Sequence, residues 1–413
     1  MGMKRRHSLG KGLYASFCIE DNAPCCSHGP KLRLERKNGG TPSYTCSAFR
    51  NQPACRNDTE FTLKLLRTQI FVTDISKSDF KNACFCHTCG VFFIGPTNVH
   101  ADHNIVRDLS NSKLNAPSYF LEPLEKSSEH AQYFFADEWL KFMMSTLRAL
   151  RIDNILCVGA PRLFDFLGTQ SFSINKFLLD LDARLLSFYP PTQFTRFNAL
   201  NCHFFSPTGK STVENFMLSC KGRTAIFCDP PFGALMEPLI VSLNKLKEGI
   251  LNSEVFLMIT IPYFLGKKLL QAAPQLKMLD YKVTYEKHVR FTSTGHDGNN
   301  SKRRVSVVRM FTDAPPQEIK PPEGLESQYW FCEICKRYSD LGNKHCTQCN
   351  ACTTPHGGTY IHCQICKVCR PPSYQHCNKC KRCFHLRGNE YHSCTNEQST
   401  YHSKCKRGKF IKK

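Results

Sequence analysis

Cysteine and histidine recur near the end of this chain at a fixed spacing. The unit His-Cys-x2-Cys-x2-Cys starts at His345, again at His362 and again at His376, and Cys332-x2-Cys335 precedes the first copy. Free thiols have no packing reason to recur in this way, so the repeat predicts metal-bound modules. The chain carries 25 cysteines in 413 residues, and its start (MGMKRRHSLGKG) lacks the apolar segment of a secretion signal. The expectation is a reducing compartment, with cysteines as ligands rather than disulfides. Apolar stretches such as Val255 to Leu265 are too short to cross a bilayer, which predicts a soluble protein. A net charge of +21 predicts a polyanionic partner. Nucleic acid leads, although histones and acidic membranes attract the same charge.

The composition divides the chain into blocks. Residues 1 to about 115 are rich in Cys, Pro, Asn and charge; residues 128–313 are poor in cysteine; a Pro-rich acidic spacer covers 314–328. The Cys/His-rich segment spans 329–396, and a basic tail of 397–413 reads as a solvated phosphate-touching end. Within 128–313 the pattern predicts a helix over Ala131–Leu150, then strands at "NILCVGAP", "SINKFLLDLD", Gln193–Asn198, "TAIFCDPPF" and "EVFLMITIP", with a helix at 235–250 before the last. "YKVTYEKHVRF" and "RRVSVVRMFT" alternate like a closing antiparallel pair. Strands alternating with helices predict an α/β fold with a parallel sheet covered on both faces. Ligands bind such sheets beyond the carboxyl ends of the strands. Four candidates fall there: Gly159, for close cofactor approach; Asp180, for a ribose diol; Asn198, beside an adenine; and Asp229, facing the reaction.

Asp229 opens "DPPF" (Asp229, Pro230, Pro231, Phe232). Asp-Pro-Pro can simply end a strand in a turn. In its place after the fourth strand, however, it resembles the [DN]-PP-[FYW] motif of class I S-adenosylmethionine-dependent amino-methyltransferases. The resemblance covers about 128–313 and implies a Rossmann-like sheet. It implies that "QYFF" (Gln132, Tyr133, Phe134, Phe135) embraces the methionine end of the cofactor. The chemistry suits the residue types. An exocyclic aromatic amine is a poor nucleophile, and Asp229 with the Pro230 carbonyl can accept its N–H groups while Pro231 stiffens the loop. Phe232 can stack on a flipped base.

Zinc ligands are expected in three places. Cys26-x-His28 with Cys46 and Cys55 resembles a GRF-type finger over 20–65, with Cys25 as the competing first ligand. Cys86-x2-Cys89-x10-His100-x2-His103 is a Cys2His2 arrangement over 80–110. The C-terminal repeat resembles the Cys-rich domain of protein palmitoyltransferases, although Ile361 and Gln375 stand where that motif has a further His. That resemblance implies quartets of Cys332, Cys335, His345 and Cys352; of Cys346, Cys349, His362 and Cys369; and of Cys363, Cys366, His376 and Cys383. Cys377, Cys380, His385 and Cys394 remain as a lengthened CCHC knuckle, with His392 as the rival of His385. About six zinc ions are therefore expected.

Taken together, the order of modules resembles that of ribosomal RNA N6-adenosine methyltransferases. This implies S-adenosylmethionine and zinc as cofactors, large-subunit rRNA as partner, and a nuclear, nucleolar location with the cytoplasm as a second. Two rivals stay open: an amino-methyltransferase acting on DNA or a protein amide, and a zinc-rich RNA adaptor that has lost catalysis. The Gly/Asn/Ser-rich stretch Arg290–Val305 is either a solvated hairpin loop or a lid over the base pocket.

Overall fold

Asn154–Val158 is buried at every position, as a strand covered on both faces must be. It lies at the centre of the sheet. A computed structural model of the chain describes residues 14–19, 22–36, 39–50, 52–68, 70–74, 82–95, 100–124, 132–286, 291–292 and 304–386. The chain divides into two units, 1–340 and 341–413. In the first, the central elements begin with α1 (Asp137–Ala149), β1 (Asn154–Val158), α2 (Pro161–Thr169), β2 (Asn175–Asp180), β3 (Phe194–Asn198) and β4 (His203–Phe204). They continue as α3 (Pro207–Ser219), β5 (Gly222–Cys228), α4 (Met236–Glu248), β6 (Ser253–Pro262), α5 (Gly266–Ala272), β7 (Lys277–Met278) and β8 (Val308–Thr312).

The strand order is β4-β3-β2-β1-β5-β6-β8-β7. β1, β2, β3, β5 and β6 pair in parallel, while β8 runs antiparallel between β6 and β7. Trp139 and Met143 of α1 and Phe164 of α2 fill one face of the sheet, and Val213 of α3 with Leu239 and Leu243 of α4 fill the other. The chain builds outwards from β1 to β3, then returns to place β5 on the opposite side of β1. That reversal opens a crevice at the carboxyl ends of β1 and β5.

The five expected parallel strands are present, but two boundaries differ from the sequence reading. α1 starts at Asp137 rather than Ala131. Residues 134–136 are drawn into extended pairing with 284–286 instead: Phe135 bridges Tyr285, Glu286 N–H donates to Phe134 O (2.7 Å) and Ala136 N–H to Thr284 O (3.0 Å). The closing antiparallel pair is only half realised. β8 is a regular strand, whereas 281–286 runs beside it with isolated bonds such as Val283 N–H to Val308 O (3.2 Å). The short edge strand is β7, ahead of that segment. Most of Arg290–Val305, including 293–303, lies outside the described residues.

The Pro-rich stretch after β8 is not a free spacer. Ile319 is fully buried and its carbonyl accepts from the Tyr281 hydroxyl (2.8 Å). It leads to a ribbon, Tyr329–Cys332 paired with Arg337–Asp340, that belongs to the first unit. Arg337 Nη1 lies 2.7 Å from Asp280 Oδ1 and donates to Met278 O (2.9 Å), and Asp340 N–H donates to Asp280 Oδ2 (3.0 Å). On the other side, Phe85 and Phe92 of the strands Ala83–Cys86 and Val91–Ile94 enter the core against Phe188, with ring centroids 5.8 and 5.7 Å away. The second unit is a series of short antiparallel ribbons, 345–352, 361–370 and 374–385. No helix among the described residues is long and apolar enough to cross a membrane.

The Arg337–Asp280 pair is almost fully desolvated, with side-chain exposures of 10% and 3%. Removing one partner leaves a buried, uncompensated charge. Asp280→Ala is expected to lower the stability of the first unit by about 3–5 kcal/mol in urea denaturation followed by Trp fluorescence. A loss below about 1 kcal/mol, the worth of an exposed pair, would contradict this packing.

Candidate active site and metal-ligand quartets

At the crevice, the backbone of β1 turns at Gly159 with φ +67°, and Asp229 N–H donates to Val158 O (3.1 Å). A Cβ on Gly159 would lie 3.0 Å from the Asp229 carbonyl oxygen. Only glycine lets the two strand ends approach this closely. A cavity opens over them, lined by Gln132, Tyr133, Gly159, Asp180, Asn198 and all four residues of the Asp229–Phe232 motif, among others.

Asp229 is held from two directions. Thr260 Oγ1, from β6, donates to its Oδ1 at 2.5 Å, and the Tyr285 hydroxyl donates to the same oxygen at 2.9 Å. The second carboxylate oxygen has no partner among the described residues. Burial raises the Asp229 carboxyl to about 7; the two hydroxyls pull it down and the charge of Asp180 pushes it further up. Neither Thr260 nor Tyr285 belongs to a motif, so the sequence did not single them out. Tyr133, Phe232 and Tyr285 cluster at this end, with Phe232 5.5 Å from Tyr133 and 6.0 Å from Tyr285 between ring centroids.

Asp180 ends β2 as expected. Its Oδ1 accepts from Asp182 N–H (2.8 Å), and burial, then the neighbouring Asp182, raises it to about 7. Burial would raise Asp182 too, but Arg184 holds it below the usual carboxylate range through a 2.7 Å ion pair. The same guanidinium donates to Gln132 Oε1 (3.2 Å) and fixes that side chain on the cavity wall.

Of the other expected cofactor residues, Asn198 lines the cavity and Phe134 and Phe135 do not. Their extended pairing turns both rings into the protein: Phe134 packs under Arg162 (4.8 Å), and Phe135 stacks on Tyr285 (5.1 Å), behind Asp229. Asn198 reaches the cavity wall, but its amide is already engaged. Nδ2 donates to His28 O (2.9 Å) and Ser47 Oγ (2.8 Å), and Oδ1 accepts from Leu200 N–H (3.1 Å). It fastens the N-terminal module to the end of β3.

Four of the expected ligand groups come together, each inside one unit: Cys26, His28, Cys46 and Cys55; Cys86, Cys89, His100 and His103; Cys346, Cys349, His362 and Cys369; Cys363, Cys366, His376 and Cys383. Their separations fit zinc. His28 Nδ1 lies 3.9, 3.6 and 3.4 Å from the sulfurs of Cys26, Cys46 and Cys55, and Cys349 Sγ lies 3.7 Å from Cys369 Sγ. A tetrahedron with Zn–S of about 2.3 Å and Zn–N of about 2.0 Å has edges of roughly 3.5–3.8 Å. Backbone N–H groups aim at the sulfurs, as Cys89 N–H does at Cys86 Sγ (3.4 Å). Of the remaining quartet, Cys332 and Cys335 belong to the first unit and His345 and Cys352 to the second. His345 and Cys352 face one another across their ribbon, 4.0 Å apart. The last knuckle is corrected. The ribbon register sets His385 opposite Tyr374 and Cys377 opposite Arg382, so exposed His385 stands at the far end from the Cys377–Cys380 turn. Cys394 and His392 lie outside the described residues.

This sheet, with the Asp229–Phe232 motif after β5 at its crevice, is that of a class I S-adenosylmethionine-dependent amino-methyltransferase. Comparison with known proteins narrows the class. A family model described as "Probable N6-adenine methyltransferase" matches residues 126–297. The human "rRNA N(6)-adenosine-methyltransferase ZCCHC4" is 34% identical over 378 residues, 81% of this chain and 72% of the human protein. Its Xenopus tropicalis and mouse counterparts are each 34% identical, covering 79% and 78% of this chain. The chain belongs to this family of rRNA N(6)-adenosine-methyltransferases.

The raised carboxyl of Asp229 fixes the sign of a pH effect. The ionised form is the better acceptor for an amine, so methyl transfer should rise with pH through an apparent value near 7 and then level off. The Tyr285 hydroxyl lowers that value, so Tyr285→Phe is expected to move the acidic limb to higher pH. Single-turnover rates from pH 5.5 to 9 would show it. An unchanged limb in Tyr285→Phe would contradict the role given to this bond.

Proposed function

We propose that this chain methylates N6 of an adenosine in structured RNA, with large-subunit ribosomal RNA as substrate and the nucleolus as place of action. The observation that carries the reading is the divided carboxylate of Asp229. One oxygen is locked by Thr260 and Tyr285, which leaves the other, at the cavity, to accept from a substrate amine. The relatives' names supply the adenosine and the rRNA; the net charge of +21 supports a polyanionic substrate.

Each cavity residue has work that follows from its place. Asp229 Oδ2 and the Pro230 carbonyl accept the two N–H bonds of the amine, which takes its lone pair out of conjugation with the ring and turns it towards the methyl group. Pro230 and Pro231 cannot donate a competing N–H, and the turn is closed by Ala234 N–H bonding Pro231 O (2.8 Å). Phe232 and Tyr133 offer faces on which a flipped base can stack. Gly159, Gln132 and Asp180 fit the cofactor's backbone approach, methionine end and ribose diol. When bound, S-adenosylmethionine supplies an already activated methyl group, so the protein's task is in-line positioning, an effect worth up to roughly 7–11 kcal/mol. As the amine becomes cationic, its surplus proton leaves towards Asp229 Oδ2. The zinc quartets hold the modules that grip RNA.

Asp229→Ala removes an interaction that tightens at the transition state. Transfer of tritiated methyl to rRNA should fall at least about a thousandfold, with cofactor and RNA affinities within a few-fold of wild type. Wild-type turnover in this variant would sink the assignment. DNA and protein lysate tested in parallel would expose the alternative substrates, and absence of transfer to all three would favour an adaptor.

A further inference from the structure

Three residues on the cavity wall come from the N-terminal module at 20–65: Ala48, Phe49 and Thr62. Ala48 and Phe49 sit between two members of the first metal quartet, Cys46 and Cys55. Phe49 N–H donates to Cys46 Sγ (3.3 Å), and its ring lies 4.7 Å from the His28 ring. Both of these contacts are to metal-ligand candidates, which ties the position of Phe49 to that quartet.

The module is fastened to the carboxyl end of β3 by a dense set of bonds. Asn198 and Asn201 both donate to the His28 carbonyl at 2.9 Å, and Asn201 donates to Pro30 O at 2.8 Å. Gly29, at φ +90°, passes so close to His203 that any Cβ would run into the imidazole. Arg50, next to Phe49, donates to Gly233 O at 2.8 Å, immediately after the Asp-Pro-Pro-Phe motif.

The floor of the cavity crosses four neighbouring strand ends, with Asp229 after β5, Gly159 after β1, Asp180 at the end of β2 and Asn198 at the end of β3. Three strand spacings make about 14 Å. A donor whose methyl meets Asp229 and whose diol meets Asp180 has only its purine left for the β3 end. There the one polar side chain expected to read it, Asn198, has given both N–H groups to the N-terminal module. The apolar residues lining the cavity there include Phe49 with Ala48 and Leu200, and Phe49 is the aromatic one contributed by the N-terminal module. We infer that Phe49, carried by the N-terminal zinc module, packs the adenine of the cofactor, so that this module is a structural part of the cofactor site and not only an RNA-binding attachment. The inference rests on the reading of the cavity as an S-adenosylmethionine site.

The test is calorimetric binding of S-adenosylhomocysteine to the full chain, with zinc measured on every sample. Stacking on an aromatic side chain is lost in Phe49→Ala, which should weaken binding by about five- to a hundredfold, with RNA affinity unchanged. Phe49→Tyr keeps the ring and should bind within about twofold of wild type, while Phe49→Leu, apolar but not aromatic, should fall between. Because Phe49 is buried, the alanine variant can lose its metal. In that event the Tyr and Leu variants decide, together with Phe49→Trp, whose added emission over Trp139 and Trp330 should be quenched saturably as the nucleoside binds. Wild-type affinity in zinc-replete Phe49→Ala or Phe49→Leu, or an added emission in Phe49→Trp that is indifferent to ligand, would overturn the inference. Failure of the wild-type chain itself to bind would instead overturn the cofactor reading beneath it.

Discussion

A carboxylate buried in a sheet crevice is costly unless its lone pairs are met. Asp229 solves this with two hydroxyls on one oxygen, and much of the first unit is arranged to deliver them. Thr260 is placed by the parallel register of β5 and β6, which sets Cys228 beside Ile259. Tyr285 is placed by the extended pairing of 134–136 with 284–286 and by the Phe135 ring stacked on it. That same pairing swings Gln132 and Tyr133 onto the cavity wall. The fixed acceptor and the shape of the cofactor cavity are thus two results of one backbone arrangement.

The metal-binding modules of the first unit are built into this arrangement rather than strung beside it. The Cys2His2 module sends Phe85 and Phe92 into the main core. The N-terminal module gives its His28 carbonyl to two asparagines at the end of β3 and the Arg50 guanidinium to the loop after Phe232. Metal sites of this kind supply folding free energy outright. Where a module's backbone also walls the active cavity, that free energy is coupled to cofactor binding.

The sequence carried most of the parallel strands because they are short apolar runs stopped by Gly, Asp or Pro, as at Gly159, Asp180 and Asp229. Most metal quartets were legible for a similar reason: their spacing is local, and local spacing survives without knowledge of the fold. His385 was misassigned because its position depends on ribbon register, which spacing does not encode. The apolar run from Tyr133 to Phe135 reads as helix by periodicity, and only its distant partner at 284–286 makes it extended. Asn198 is the clearest case of tertiary context overriding residue type. An amide at the end of the third strand suits a purine, but a carbonyl from 170 positions earlier takes it. Thr260 and Tyr285 were invisible because no motif surrounds either one.

The central claim is that the amine held by Asp229 belongs to an adenosine of RNA. The most direct measurement is nucleoside mass spectrometry of deproteinised ribosomal RNA after incubation with the chain and S-adenosylmethionine bearing a deuterated methyl group. The account requires the label in N6-methyladenosine, at a single position of the large-subunit RNA and absent when Asp229 is replaced by alanine. Label in a methylated cytidine, or in no nucleoside while protein is labelled, would contradict it.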